Sequence, residues 1–183
     1  MQIVLCSLSP RRKFLLKQLG LKFSLRAPEI EEKKLTQYSV HELFKLTRQK
    51  LQPLPQKPVK KIFIAADTIV VLKNKIFNKP ASKMEAAQFL RRLSGKTHQV
   101  MTALVVYDAF KKKFYEKLVK TKVTFRTLSE VQIQNYLKAG EYADKAGGYG
   151  IQGIGAVLVK SIQGSYTNVI GLPLEALVDI LPS

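Results

Sequence analysis

The sequence predicts an α/β chain, and three observations carry that expectation. A short apolar run, Ile3-Val4-Leu5, feeds a loop and then a helix start at Ser9-Pro10. A longer run, Lys61 to Leu72, is apolar on both faces, as a strand covered from both sides would be. Three further serines, Ser39, Ser82 and Ser129, each stand ahead of a helical apolar pattern, with strand-like runs between them.

Taken in order, Ile3 to Leu5 reads as a buried strand. Ser9 then caps a helix with Pro10 at its first position and Phe14, Leu15, Leu16 and Leu19 on its apolar face, and Gly20 stops it. Lys22 to Arg26 reads as a second strand. Ser39 and Glu42 form a capping box for a helix running to Leu51, and Gln52 to Pro58 is a proline-rich surface loop. After the central strand, Lys73-Asn74-Lys75 is a hairpin turn, and Ile76 to Pro80 returns. Ser82 and Glu85 open the helix Met84 to Leu93. Thr97 to Tyr107 and Lys113 to Arg126 read as two long strands joined near Phe110. Ser129 caps a helix through Leu137, Ile154 to Ile162 reads as a final strand, and Leu174 to Leu181 as the last helix.

Composition narrows the class. Thirty-one basic residues against 13 acidic ones give a net charge of +18 over 183 residues. Such a charge draws polyanions, nucleic acid first. The lysines are scattered, however, and no zinc-finger or RNA-recognition signature accompanies them, so a basic surface that attracts a small anionic substrate is the simpler reading. No apolar run approaches the roughly 18 residues that a membrane span needs. The single cysteine, Cys6, allows no internal disulfide and no cysteine-based zinc site. With no leader-like pattern at the start, the cytoplasm is the expected compartment.

Four stretches carry candidate chemistry. The first loop, Ser7-Leu8-Ser9-Pro10-Arg11-Arg12, gathers two hydroxyls, two guanidinium groups and a helix N-terminus, which suits phosphate; an ordinary capped helix with solvated arginines would look the same. Glu29-Ile30-Glu31-Glu32 is acidic in a basic chain, and suits either a bound cation or pairing with Lys33 and Lys34. Asp67 interrupts the apolar central strand. A buried carboxylate there needs a catalytic or metal-binding reason, or a bulge to cap. The run Gly147 to Gly153 is a tight loop or the wall of a base pocket, with the Gln152 amide reading the base. Lys79, held extended by Pro80, can aim an ammonium group at the site. His98 reads as a packing or hydrogen-bonding residue, and His41 as a helix-surface residue. A phosphate-bearing ligand needs cations and hydroxyl donors to receive it, and a carboxylate can hold a metal or act as a base. Ser7, Ser9, Arg11, Arg12, Lys50 and Lys79 can form the phosphate cradle, and Glu32 and Asp67 can supply metal and base. The arginine turn and Asp67 are expected to face each other across a groove.

Together these stretches resemble the Maf family of nucleotide pyrophosphatases. The first loop is similar to the family's Ala-Ser-x-Ser-Pro-Arg-Arg, with Cys6 in place of alanine. Ala66-Asp67-Thr68, Lys79-Pro80, Leu93-Ser94-Gly95 with Thr97-His98-Gln99-Val100, Asp144-Lys145-Ala146-Gly147 with Tyr149 to Gly153, Gly164-Ser165-Tyr166 and Val169 to Leu174 follow in family order. The resemblance implies one domain over residues 1–183, with two lobes around a central cleft in an elongated, mixed twisted sheet flanked by helices, related to the inosine triphosphate pyrophosphatases. It implies hydrolysis of a nucleoside triphosphate between the α and β phosphates, a divalent cation (Mg²⁺, Mn²⁺ or Co²⁺) and a homodimer, with neither membrane nor nucleic acid required. It makes Asp67 the proton acceptor, with Glu32, Lys50 and Lys79 beside it, and lets Arg11 or Arg12, Thr68 and Gln152 bear on base choice; Arg11 is the first choice of the two. The stretches Thr97 to Ala103 and Val123 to Leu128 look most like the branch acting on dTTP and UTP. The alternatives are the branch acting on 7-methyl-GTP and, from another class, a basic nucleic-acid-binding or nucleotide-sensing protein without catalysis.

Overall fold

The computed structural model describes residues 1–30 and 35–182. Glu32, expected to hold metal, therefore lies outside the described residues. The strands are β1 (Gln2–Cys6), β2 (Phe23–Arg26), β3 (Lys61–Leu72), β4 (Lys75–Phe77), β5 (Thr97–Asp108), β6 (Lys113–Phe125) and β7 (Val159–Gln163). The helices are α1 (Pro10–Gln18), α2 (Val40–Gln49), α3 (Lys83–Leu93), α4 (Glu130–Lys138), α5 (Tyr166–Ile170) and α6 (Leu174–Ile180). The strands form one mixed sheet in the order β2-β1-β3-β5-β6-β7, with β4 paired to the far end of β3. β1 runs parallel to β2 and β3, and the other pairings are antiparallel.

The helix starts are set by local chemistry. Ser9, Ser39, Ser82 and Ser129 each accept a backbone N–H from the first turn, satisfying a donor that the helix leaves unpaired. At Ser129 the box closes reciprocally, with the Gln132 side chain accepting from the Ser129 N–H. Glu85 instead reaches the Ala81 N–H.

β3 is the spine. Its residues alternate between the two sheet faces. Ile62, Ile64 and Ala66 pack with Leu15 and Leu16 of α1. Phe63 and Ala65 pack with Leu51 and Phe44, at the end and on the side of α2. The pairing with β5 is continuous from Ile62 to Val71, so no bulge surrounds Asp67 and bulge-capping does not explain it. The turn Lys73-Asn74 has both residues at positive φ, the geometry that suits a tight hairpin.

The structure departs from the sequence reading at three places. Ile154 to Leu158 is not strand: Gly153 to Leu158 forms a 3₁₀ segment, and β7 begins only at Val159. Gly153 turns the chain at φ +60°, and Gly155 packs against the Gly150 carbonyl so closely that no Cβ fits. Tyr166 to Ile170 forms a short helix, α5, that the sequence did not announce; the Ser165 hydroxyl caps it by accepting the Asn168 N–H. Phe14 is half exposed, so the core face of α1 is Leu15 and Leu16.

Candidate active site

The site lies where β3 loses a neighbour. β1 covers one edge of β3 as far as Ile64, and β4 begins to pair only at Val70. Between them, among the described residues, that edge is open, and β1 turns away there into the Ser7–Ser9 loop. A cavity of about 350 Å³ fills the gap. Crevices beyond the carboxyl end of a strand, where the sheet opens, are common binding positions in α/β folds.

Asp67 and the arginine turn both line this cavity, but not across one face of the sheet. By alternation Asp67 shares the α2 face with Phe63 and Ala65, while Thr68 shares the α1 face with Ile64 and Ala66. The expected face-to-face groove is thus a passage around an open strand edge. The acid stands on one side of β3 and the Arg12 guanidinium on the other.

On the α2 side, the Asp67 Oδ2 pairs with the Lys50 Nζ at 2.7 Å, and Oδ1 accepts the Thr68 N–H at 3.1 Å. Lys50 stands just past the end of α2, its side chain only 5% exposed against 25% for Asp67. Burying an ammonium group with no carboxylate beside it is costly, and Asp67 supplies a carboxylate. Ser7 is buried, and its hydroxyl oxygen accepts the Ser9 N–H at 3.1 Å. Ser9 caps α1 through the Arg12 N–H. Both serine protons therefore remain to be donated into the cavity. Lys79, after β4, reaches the same space.

On the α1 side the two arginines part. Arg12 Nε donates to the Gly171 carbonyl at 2.8 Å, and Nη2 donates to Thr68 Oγ1 at 3.3 Å. Arg11 instead spans the mouth of the cavity: its Nη1 lies 2.5 Å from Asp144 Oδ2 and its Nη2 donates to the Asp144 carbonyl at 3.2 Å. Arg11, expected to bear on base choice, is thus held to Asp144, and Arg12 is the guanidinium that stands beside Thr68. Burial acts to raise the Asp144 pKa, but hydrogen bonds from Lys145 and Arg11 outweigh it and hold the group below the usual carboxylate range. The sequence shows Asp144 and Lys145 only as members of a motif and assigns them no role. Their charges just before a glycine run were the one available signal.

The glycine loop forms the remaining wall. Gly147 sits at φ +74°, where a Cβ would meet the Val70 side chain at 3.0 Å. The Tyr136 hydroxyl accepts the Gly150 N–H at 3.2 Å. Tyr149, which lines the cavity, meets His98 Nε2 at 2.6 Å through its hydroxyl. Burial lowers the His98 pKa to about 4 and raises that of Tyr149, so both rings are neutral at ordinary pH. His98 is indeed a packing and hydrogen-bonding residue, stacked edge-on with Phe125 and Tyr149. These contacts fix the loop that carries Gln152 into the cavity.

Among the described residues no cluster of three His, Cys, Asp or Glu side chains could hold a metal alone. The donors present still suit a hard divalent ion that takes much of its shell from phosphate oxygens and water, because Asp67 offers carboxylate oxygen in the cavity. Among the described residues, no helix is long and apolar enough to cross a membrane.

Fold and site thus define an α/β protein with a cleft at an open strand edge, lined by arginine, lysine and serine side chains beside Asp67. Residues 2–183 match the family model described as Maf-like protein, and the chain belongs to the Maf family. It is 44% identical over 181 residues to a dTTP/UTP pyrophosphatase of Escherichia coli O157:H7, covering 98% of this chain and 91% of that one. A dTTP/UTP pyrophosphatase of Salmonella typhimurium is 45% identical with the same coverage. One of Clostridioides difficile is 41% identical over 182 residues, covering 99% of this chain and 94% of that one.

Proposed function

We propose that this chain hydrolyses dTTP and UTP between the α and β phosphates, releasing pyrophosphate and the nucleoside monophosphate with the help of a divalent cation. The observation that carries this is the ion pair of Asp67 with buried Lys50, opening into the same cavity as the Ser7–Arg12 turn. The relatives named dTTP/UTP pyrophosphatase, alike over nearly the whole chain, support the substrate class.

The roles follow from the two sides of β3. The base sits on the α1 side, near Arg12, Thr68 and Gln152, and the triphosphate passes around the open edge toward Asp67, Lys50 and Lys79. Ser7 and Ser9 donate their hydroxyl protons to phosphate oxygens, and the ammonium groups of Lys50 and Lys79 offset the negative charge. Asp67 takes the proton of the attacking water as its oxygen bonds to the α phosphorus, while the bond to the pyrophosphate oxygen breaks. Lys50 and the Thr68 N–H hold that carboxylate in place. Asp67 and Glu32 would hold the cation, Mg²⁺, Mn²⁺ or Co²⁺, which when bound neutralises phosphate charge and orients the α phosphate. All the residues of this scheme come from one chain, so a homodimer would be compatible with the site but not required by it. Cytoplasm, the expected compartment, suits both the nucleotide pool and the buried, unpaired Cys6.

The test is pyrophosphate release across a panel of nucleoside triphosphates, with and without Mg²⁺ or Mn²⁺. Cation-dependent release from dTTP and UTP above all others is expected. Preference for 7-methyl-GTP, or binding of nucleotide without release, would overturn the proposal.

A further inference from the structure

Thr68 and Thr102 are direct partners on β3 and β5, and their hydroxyl oxygens lie 2.9 Å apart. Thr102 is fully buried, while Thr68 lines the cavity. Each hydroxyl owns one proton, so the direction of donation along this pair must be worked out. At the inner end, Thr102 Oγ1 lies 3.4 Å from the Asn168 carbonyl, which can only accept. At the outer end, Arg12 Nη2 can only donate to Thr68 Oγ1. The assignment that pairs every one of these atoms runs one way: Arg12 donates to Thr68, Thr68 to Thr102, and Thr102 to Asn168. The reverse direction would strip the buried Asn168 carbonyl of its threonine donor, which is costly in an interior.

The consequence is chemical. The Thr68 proton is committed inward, so Thr68 presents only a lone pair to the cavity. Gly171 borders this acceptor: a Cβ there would stand in ordinary contact with Thr68 Oγ1 at 3.6 Å and Arg12 Nε at 3.7 Å, so any side chain at 171 would take up the space beside them. Gln152 cannot supply the same polarity. No described group holds its amide, and a free amide flips to match either a uracil or a cytosine edge.

We propose that Thr102 is a positioning residue for base choice: it takes the Thr68 proton, so that Thr68 meets the substrate as an acceptor for the N3–H of thymine or uracil. Cytosine, whose N3 carries a lone pair, then faces a lone pair. The inference rests on the pyrophosphatase reading and deepens it.

The test compares kcat and KM for dTTP and dCTP in the natural chain, Thr102→Val and Thr102→Ser, and for UTP and N3-methyl-UTP in the natural chain. The natural chain should favour dTTP over dCTP, and UTP over N3-methyl-UTP, by at least about tenfold in kcat/KM. Thr102→Val frees the Thr68 proton, so the dTTP/dCTP ratio should fall about tenfold, chiefly through KM. Thr102→Ser keeps the hydroxyl and should restore the ratio. An equal loss for both nucleotides in a folded Thr102→Val would mark a merely structural role and overturn the inference, as would equal use of UTP and N3-methyl-UTP. If Thr102→Val fails to fold, Thr102→Ala, which also removes the hydroxyl, is read in its place, and an unchanged dTTP/dCTP ratio there would overturn the inference. Absence of pyrophosphate release from every nucleotide by the natural chain would instead reject the underlying activity, and the inference with it.

Discussion

Arg11 and Arg12 are neighbours in sequence with opposite duties. Consecutive helical residues point about 100° apart, so one guanidinium reaches Thr68 and Gly171 while the other reaches Asp144. Nothing local distinguishes them, because the partners lie far along the chain, so the sequence alone does not say which arginine stands beside Thr68. Asp67, by contrast, was legible from sequence, since a lone carboxylate in an apolar strand demands a partner. Lys50 is that partner, and Lys50→Met should destabilise the fold by about 1–3 kcal/mol, with the partial exposure of Asp67 moderating the loss. Urea denaturation measures it, and unchanged stability would show the pair to be incidental. Gln152→Leu should reorder the nucleotide panel without a uniform drop, as read by kcat/KM for each nucleotide; an equal loss for all would argue against a base contact. His98 supplies a pH signature. Its pKa falls from 6.5 to about 4 on folding because burial disfavours the charged ring. The neutral ring's contribution is complete above pH 6.5 and is lost as pH falls toward 4, a loss of roughly 3 kcal/mol. Thermal melts from pH 7 to pH 4 should therefore show a shallower decline for His98→Asn than for the natural chain.

At the level of elements, what is encoded locally was readable. Four serine caps, the Lys73-Asn74 turn and the long central strand are all set by residues within a few positions of one another. The segment 154–158 was not readable, because Ile154 and Val157 look like strand residues yet are exposed, and the turn on Gly153 decides the path. Nor was α5, whose five residues are too few to show a period and whose cap, Ser165, follows a glycine that reads as loop. The glycine loop itself was recognised, but its anchoring by Tyr136 and by the His98–Tyr149 pair depends on tertiary contact. Gly147→Ala tests that anchoring. A methyl at φ +74° and 3.0 Å from Val70 should cost about 1–3 kcal/mol and raise KM as the wall shifts. Calorimetric melting and nucleotide kinetics together check it, and an unchanged KM would detach the loop from binding.

For the whole molecule, the open edge of β3 is the organising feature. One strand stops early, another starts late, and the interval lets groups from both sheet faces meet in one cavity. The sequence suggested the meeting but not its route, since alternation along β3 depends on a register that only pairing fixes. The charge of +18 should act over the same scale, drawing triphosphate toward the cleft. KM for dTTP should then rise severalfold between about 0.01 M and 0.15 M salt, as the screening length shrinks; a flat salt profile would confine the electrostatics to the cavity. The central claim is that Asp67 acts from one side of β3 on a substrate held from the other. Its most direct measurement is pyrophosphate release from dTTP by Asp67→Asn, beside a thermal melt. The expected result is a folded protein with turnover reduced at least about a hundredfold; release at the natural rate from a folded Asp67→Asn would contradict the account.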